Sequence, residues 1–317
     1  MLKVGLIGVG GISGAHIPAW DAMEDVELCA LCDVRPERME EYRDSKRCYT
    51  DLDTMLENEQ LDILDICLPT YLHADTAIRV MDRGIHVLCE KPISLKMEDV
   101  KRVYDAAKRN RVCFMVAHVL RFWAEFELVK AIYEDGRYGK LLSGTMCRLN
   151  AWPLWSWDGW MSDEKRSGLV LYDLHVHDLD FLVYMLGKPN AITANRSLRA
   201  DQDYMMATYT YDDFFITCEA SWYAGRYPFS SSFRFQFEDA VVSFNQGVLV
   251  AYLRDGRVIK LMEQEGNSPD VLGLPDLGPY ANEIRYFTDC VLAGKPADKI
   301  KPSELEEVIR LLDSFKK

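Results

Sequence analysis

The chain has 317 residues, 49% of them hydrophobic, and 37 basic against 50 acidic side chains give a formal charge of −13. That length suggests about two domains around a large core. The acidic balance argues against a nucleic-acid or anionic-membrane partner, because only short helical faces such as Lys101, Arg102 and Lys108 offset it.

No apolar run approaches the length needed to span a bilayer, and no basic, cleavable leader precedes the first strand, so a cytoplasmic location is expected. Nine cysteines, an odd number mostly set in apolar runs, fit reduced core thiols. Cys29 and Cys32 spell CxxC, but in a strand positions three apart face opposite sides and share neither a metal nor a disulfide.

Lys3 to His16, KVGLIGVGGISGAH, reads as a strand, a glycine turn and a helix start over Ile12 to Met23. At such a turn Gly8, Gly10 and Gly11 let the backbone approach a pyrophosphate, and the N–H groups at the helix start, from Ile12 onward, point at its charge. Ser13 takes the third position of the GxGxxG pattern, with Gly14 beside it. The same residues also suit a turn that binds nothing.

Further strands are expected at Val26 to Cys32, Ile63 to Leu68, His86 to Cys89 and Val112 to Ala117, with helices between them, which implies a parallel sheet. Thr50 and Asp53 form a candidate capping pair for a short helix through Leu56, and Ala74 to Arg83 reads as a helix stopped by Gly84. Asp33 ends the second strand, where a carboxylate suits the adenosine ribose hydroxyls and repels a 2′-phosphate, so NAD is expected. Arg35 could hold that phosphate, so NADP stays open.

Pro69-Thr70-Tyr71-Leu72-His73 and Glu90-Lys91-Pro92 end the third and fourth strands. Ligands of open α/β sheets lie over those ends, making Pro69, Thr70, His73, Glu90 and Lys91 candidate cofactor contacts. The Lys91 ammonium could exchange a proton during catalysis, and Pro92 restricts the backbone, with a cis peptide open to it. A lysine before a proline also suits plain surface.

GVGGISGAH, LPTYLH and GIHVLCEKP, in this order and spacing, resemble the Gfo/Idh/MocA family of nicotinamide-dependent oxidoreductases, which includes glucose–fructose oxidoreductase and inositol dehydrogenase. The resemblance runs to the last helix, and it implies that Lys91 is the catalytic lysine. HVLRFWAE, from His118, begins a second domain, and the resemblance makes Arg121 a cofactor or substrate contact and His118 a substrate contact.

A helix from Phe126 to Gly136 and a strand over Leu141 to Leu149 come next. AWPLWSWDGW, Ala151 to Trp160, packs four tryptophans into an irregular segment; Trp155 and Trp157 could stack on sugar faces, or the segment could be a core or interface belt. Leu171 to Leu186 reads as a helix whose Asp173 and His177, four apart, share a face that Asp180 continues. A carboxylate beside an imidazole can orient it for proton transfer, though such a pair also suits a solvated helix start. LYDLHVHDLD is similar to the family's second signature, which implies that Asp173 and His177 complete the catalytic set with Lys91. His175, where many members have glycine, and Leu169, within the usual glycine cluster, depart from it. His175 and His177 diverge on a helix, so no metal is expected.

Alternating segments at Met205 to Tyr211, Phe214 to Trp222, Phe233 to Phe237, Ala240 to Phe244 and Val248 to Leu253 indicate an antiparallel sheet, followed by a loop over Pro269 to Gly278 and closing helices at Tyr280 to Leu292 and Ser303 to Phe315. The expected fold class is α/β: a Rossmann dinucleotide-binding domain over residues 1–120 and an α+β domain with a large, mostly antiparallel open sheet over 121–317. The resemblance implies a homodimer or homotetramer through that sheet, and hydride transfer between NAD and a hydroxyl- or carbonyl-bearing carbon of a sugar, inositol or related polyol. A glycosidase that oxidises its substrate transiently, with no net redox change, is the alternative.

Overall fold

The structure, a computed structural model, describes residues 1–263 and 278–316. The expected loop over Pro269 to Gly278 lies outside them, apart from Gly278 itself. The chain forms two compact units, Met1–Val119 with Asp270–Glu306, and Leu120–Pro269 with Glu307–Lys317.

In the first unit the elements run β1 (Leu2–Ile7), α1 (Ser13–Asp21), β2 (Val26–Cys32), β3 (Arg47–Tyr49), α2 (Leu52–Asn58), β4 (Ile63–Ile66), α3 (His73–Met81), β5 (His86–Glu90), α4 (Met97–Asn110) and β6 (Phe114–Ala117). All six strands are parallel, in the order β3-β2-β1-β4-β5-β6. Helices on both faces bury β4 and β6 completely, which is why these strands read as unbroken apolar runs. Strand order reverses between β1 and β4, the place where such sheets open a crevice at the carboxyl ends. The α2 cap is one residue away from expectation: Asp51, not Thr50, is the N-cap, and its carboxylate accepts the Thr54 N–H at 2.9 Å.

The second unit contains α5 (Ala124–Asp135), β7 (Leu141–Ala151), the single turn α6 (Glu164–Ser167), α7 (Val176–Leu186), β8 (Ala191–Arg199), β9 (Gln202–Thr210), β10 (Phe215–Tyr223), β11 (Ser230–Phe237), β12 (Ala240–Asn245), β13 (Val248–Leu253) and β14 (Val258–Glu263). Its eight strands lie in the order β14-β13-β12-β11-β7-β10-β9-β8, with β7 and β10 parallel and the other pairs antiparallel. Burial alternates along β9, where Asp203, Met205, Ala207 and Tyr209 point inward. Phe126 of α5 packs edge-on against Phe181 of α7 and Phe233 of β11, with ring centroids 4.8 and 5.1 Å apart, so helices cover the inner face.

The last helices are α8 (Gly278–Leu292) and α9 (Pro302–Asp313). The expected 121–317 domain is corrected here, because α8 and the start of α9 belong to the first unit. The buried stripe of Tyr280, Ile284 and Phe287 on α8 needs an apolar cover, and α1 supplies it. Tyr280 lies 5.8 Å from the His16 ring, and Arg285 pairs with Asp25 at 2.7 Å. Among the described residues no helix is long and apolar enough to cross a membrane.

Candidate active site

The glycine turn leaves β1 at Gly8, whose φ of +96° suits only glycine, and a Cβ there would sit 2.6 Å from the Cys67 carbonyl oxygen. Around Gly10 a Cβ would meet nothing within 4 Å, so the turn is open above it. Ser13 donates its hydroxyl to the Gly10 carbonyl at 2.8 Å and pins the turn from the third position of the motif. No side chain caps α1 at Ile12, and the Gly14 and Ala15 N–H groups donate back to the Gly11 and Ile12 carbonyls at 3.2 and 2.9 Å, which tightens the turn into the helix. Asp33 accepts the Val9 N–H at 2.9 Å, which ties the end of β2 to the turn. Arg35 closes over the same carboxylate, its Nε 3.1 Å from Oδ1. An open turn, an uncapped helix and a carboxylate at the second strand fit a dinucleotide.

At the ends of β4 and β5, Pro69 and Thr70 lead into a short turn, and the Lys91-Pro92 bond is cis. His73, expected to touch cofactor, is instead buried between the Pro92 carbonyl at 2.8 Å and the Leu68 carbonyl at 2.6 Å. Burial holds its imidazole below the ordinary range, so the ring carries one N–H and donates to only one of the two carbonyls at a time. Glu90 is also turned inward: Oε1 meets His16 Nε2 at 3.1 Å and Oε2 accepts the Lys91 N–H at 3.0 Å. Lys91 itself is half-buried.

In the second unit the expected regular helix begins with a wider π turn, Leu171–His175, before α7. From Ser167 to Val183 only Asp173 and His177 reach solvent, so they do share one face. Asp180 does not continue it. Its carboxylate is buried and takes two hydrogen bonds from Arg121, Nε at 2.8 Å and Nη2 at 2.7 Å. Arg121 is 0% exposed and also lies 4.5 Å from the Tyr184 ring centroid, so it offers a ligand no surface and is corrected to a structural residue. His175 is likewise internal, stacked on Tyr209 with Nε2 2.6 Å from its hydroxyl. Leu169, the other departure, adopts φ +55°, the glycine-like conformation without the glycine.

The tryptophan segment divides. Trp152 is core, edge-on to Trp222, whereas Trp155 and Trp157 are 60% and 41% exposed. His118 is buried. Cys29 and Cys32 are both buried and free, and the Cys29 thiol donates to the Val4 carbonyl.

Residues 2–118 match the oxidoreductase family, NAD-binding Rossmann fold, and residues 126–243 match the GFO/IDH/MocA C-terminal domain. The chain belongs to the GFO/IDH/MocA family. Its first unit therefore carries the NAD-binding domain of that family, in agreement with the resemblance in the three N-terminal motifs. Myo-inositol 2-dehydrogenase of Thermotoga maritima is 29% identical over 64% of this chain and 60% of its own length. The 2,7-anhydro-N-acetylneuraminate hydratase of Mediterraneibacter gnavus is 31% identical over 61% of this chain and 52% of its own. These matches thus span less than two thirds of either relative. Levoglucosan dehydrogenase, in a complex with NADH and levoglucosan, shares the fold with a TM-score of 0.81 at 23% identity, over 99% of this chain and 95% of that one.

Within this GFO/IDH/MocA chain two internal networks escaped the sequence reading. One joins His16 to Asp65 and Glu90; the other joins Arg148 to Asp178, with Nη2 and Oδ1 2.8 Å apart in the second core. The signal was a titratable side chain on an otherwise apolar face, but nothing in the sequence names its partner.

Proposed function

We propose that the protein is an NAD-dependent dehydrogenase or reductase acting on a hydroxyl- or carbonyl-bearing carbon of a sugar, inositol or related polyol. The observation that carries this reading is the exposure pattern of Ser167 to Val183, a buried stretch that presents to solvent only an acid, Asp173, and an imidazole, His177, in a chain with an NAD-binding domain. The similarity to the myo-inositol 2-dehydrogenase of Thermotoga maritima supports the substrate class.

Gly8, Gly10, Gly11, Ile12 and Asp33, with Pro69 and Thr70 at the next strand end, would hold NAD, whose nicotinamide would supply the hydride acceptor. His177 takes the hydroxyl proton as the carbon loses its hydride, which leaves a carbonyl and a protonated imidazole. Asp173 orients that ring or holds a neighbouring hydroxyl. Lys91 polarises the reacting oxygen and relays the proton outward. Trp155 and Trp157, two apart in sequence and both exposed, offer flat faces for a sugar.

The reading includes a cytoplasmic setting, which suits nine free thiols, and a homodimer or homotetramer through the open sheet face. Lys91→Met should lower turnover by about 10²–10⁴-fold in a panel of polyols and ketoses, while calorimetry shows NAD affinity little changed. Loss of NAD binding in a folded variant would contradict this division of labour. The hydratase relative favours one second reading, a reaction with no net redox change. Product release without accumulation of NADH would establish it.

A further inference from the structure

His16 lies on α1 three residues into the helix that follows the glycine turn, and it is 0% exposed. Both of its ring nitrogens face carboxylates. Nδ1 is 2.7 Å from Asp65 Oδ2 on β4, and Nε2 is 3.1 Å from Glu90 Oε1 at the end of β5. A neutral imidazole carries one N–H, so one of these contacts would set a lone pair against a carboxylate. Both are hydrogen bonds only when the ring holds two protons.

The surroundings agree with that state. Burial by itself would lower the imidazole, but the charge and hydrogen bond of Asp65 outweigh it and hold His16 well above the ordinary histidine range. Burial would raise Glu90, and the His16 hydrogen bond holds it below the usual carboxylate value. The groups beside the ring are Asp65 on β4 and Cys67 just after it, Glu90 at the end of β5, and Tyr280 from α8, while the Lys91 charge acts on Glu90. The Trp20 indole on α1 donates to the same Asp65 oxygen at 2.7 Å. Asp65 is thereby fixed, and Glu90 uses its second oxygen for the Lys91 backbone N–H.

We propose that His16 is a positioning residue: as a buried imidazolium it clamps the helix that starts at the glycine turn to the strand end bearing Lys91, and so sets the lysine's place relative to bound NAD. The chain of contacts is continuous from α1 through Glu90 to the main chain of the lysine. It rests on the reading of Lys91 given above, and it adds the reason why cofactor affinity and lysine placement should change together.

The test uses the whole chain with NAD as the probe. Lys91 acylation by an amine-reactive ester is followed by mass spectrometry with and without NAD, alongside calorimetric NAD affinity and a thermal melt. In the native chain NAD should shield Lys91. His16→Leu should keep a cooperative melt yet weaken NAD about tenfold or more and abolish the shielding at saturating NAD, with His16→Gln, which keeps one N–H, in between. If His16→Leu does not fold, Glu90→Gln carries the same expectation. Unchanged affinity and shielding in a folded variant would overturn the clamp. Absence of shielding in the native chain would instead overturn the reading of Lys91, so the two failures are separable.

Discussion

Three buried histidines are shifted in opposite directions. His16 between two carboxylates is raised, His73 is lowered by burial against the opposing pull of its two carbonyl contacts, and His175 is pushed down to about 3 by burial and by the nearby Arg148 cation. For His175 the sign follows from proton counts: the unfolded chain protonates it near about 6.5 and the folded chain only near about 3. Between those values the unfolded state binds more protons, so this contribution to stability is complete above the unfolded pKa and is lost as pH falls through the window. His175→Gln keeps a partner for the Tyr209 hydroxyl and removes the titration. Urea unfolding at pH 7 and pH 5 should show a smaller acid loss in the variant than in the native chain; equal losses would contradict the assignment. The type of residue at 175 was visible in the sequence, but its burial was not.

At the scale of elements, Gly168 and Leu169 join α6 to the π turn that leads into α7. Gly168 has φ +74° and a Cβ there would lie 2.5 Å from the Tyr172 ring, so this position admits glycine alone. Leu169 follows it at φ +55° and is 3% exposed. A left-handed leucine costs roughly 1–2 kcal/mol, whereas truncating a buried leucine costs about 3–5 kcal/mol. Burial therefore wins, and Leu169→Gly should destabilise the chain by about 1–4 kcal/mol in chemical denaturation, even though it restores the residue usual in the family. A stabilised variant would show that backbone strain dominates.

The other strands of the reading also sort by burial. Those with an alternating buried face, such as β9 and β10, were legible as segments. The missed ones were β3, only three residues long, and β8 and β14, which have no buried residue in their patterns and hence no apolar period to read.

For the whole molecule, family membership and the two sheets frame one remaining proposal. On the face of the large sheet away from its helices, Thr217 pairs with Thr208 across β10 and β9 and with Thr145 across β10 and β7. Phe215, Met206 and Tyr252 of this sheet are exposed. Self-association through this face should appear in sedimentation velocity as a species at a multiple of 36.5 kDa, and Thr208→Arg with Thr217→Arg should reduce it to monomer with NAD binding intact. A native monomer would refute the interface.

The sequence by itself determined the doubly wound first domain, the glycine turn after its first strand, and the shared face of Asp173 and His177, because glycine freedom, apolar period and helical spacing act over a few neighbouring residues. Only the tertiary structure decided which charges serve the fold. Arg121 meets Asp180 across 59 residues, and His16 meets Asp65 and Glu90 across 49 and 74. A buried ion needs a specific counter-charge, and the partner is chosen by packing between distant elements, which no local pattern records.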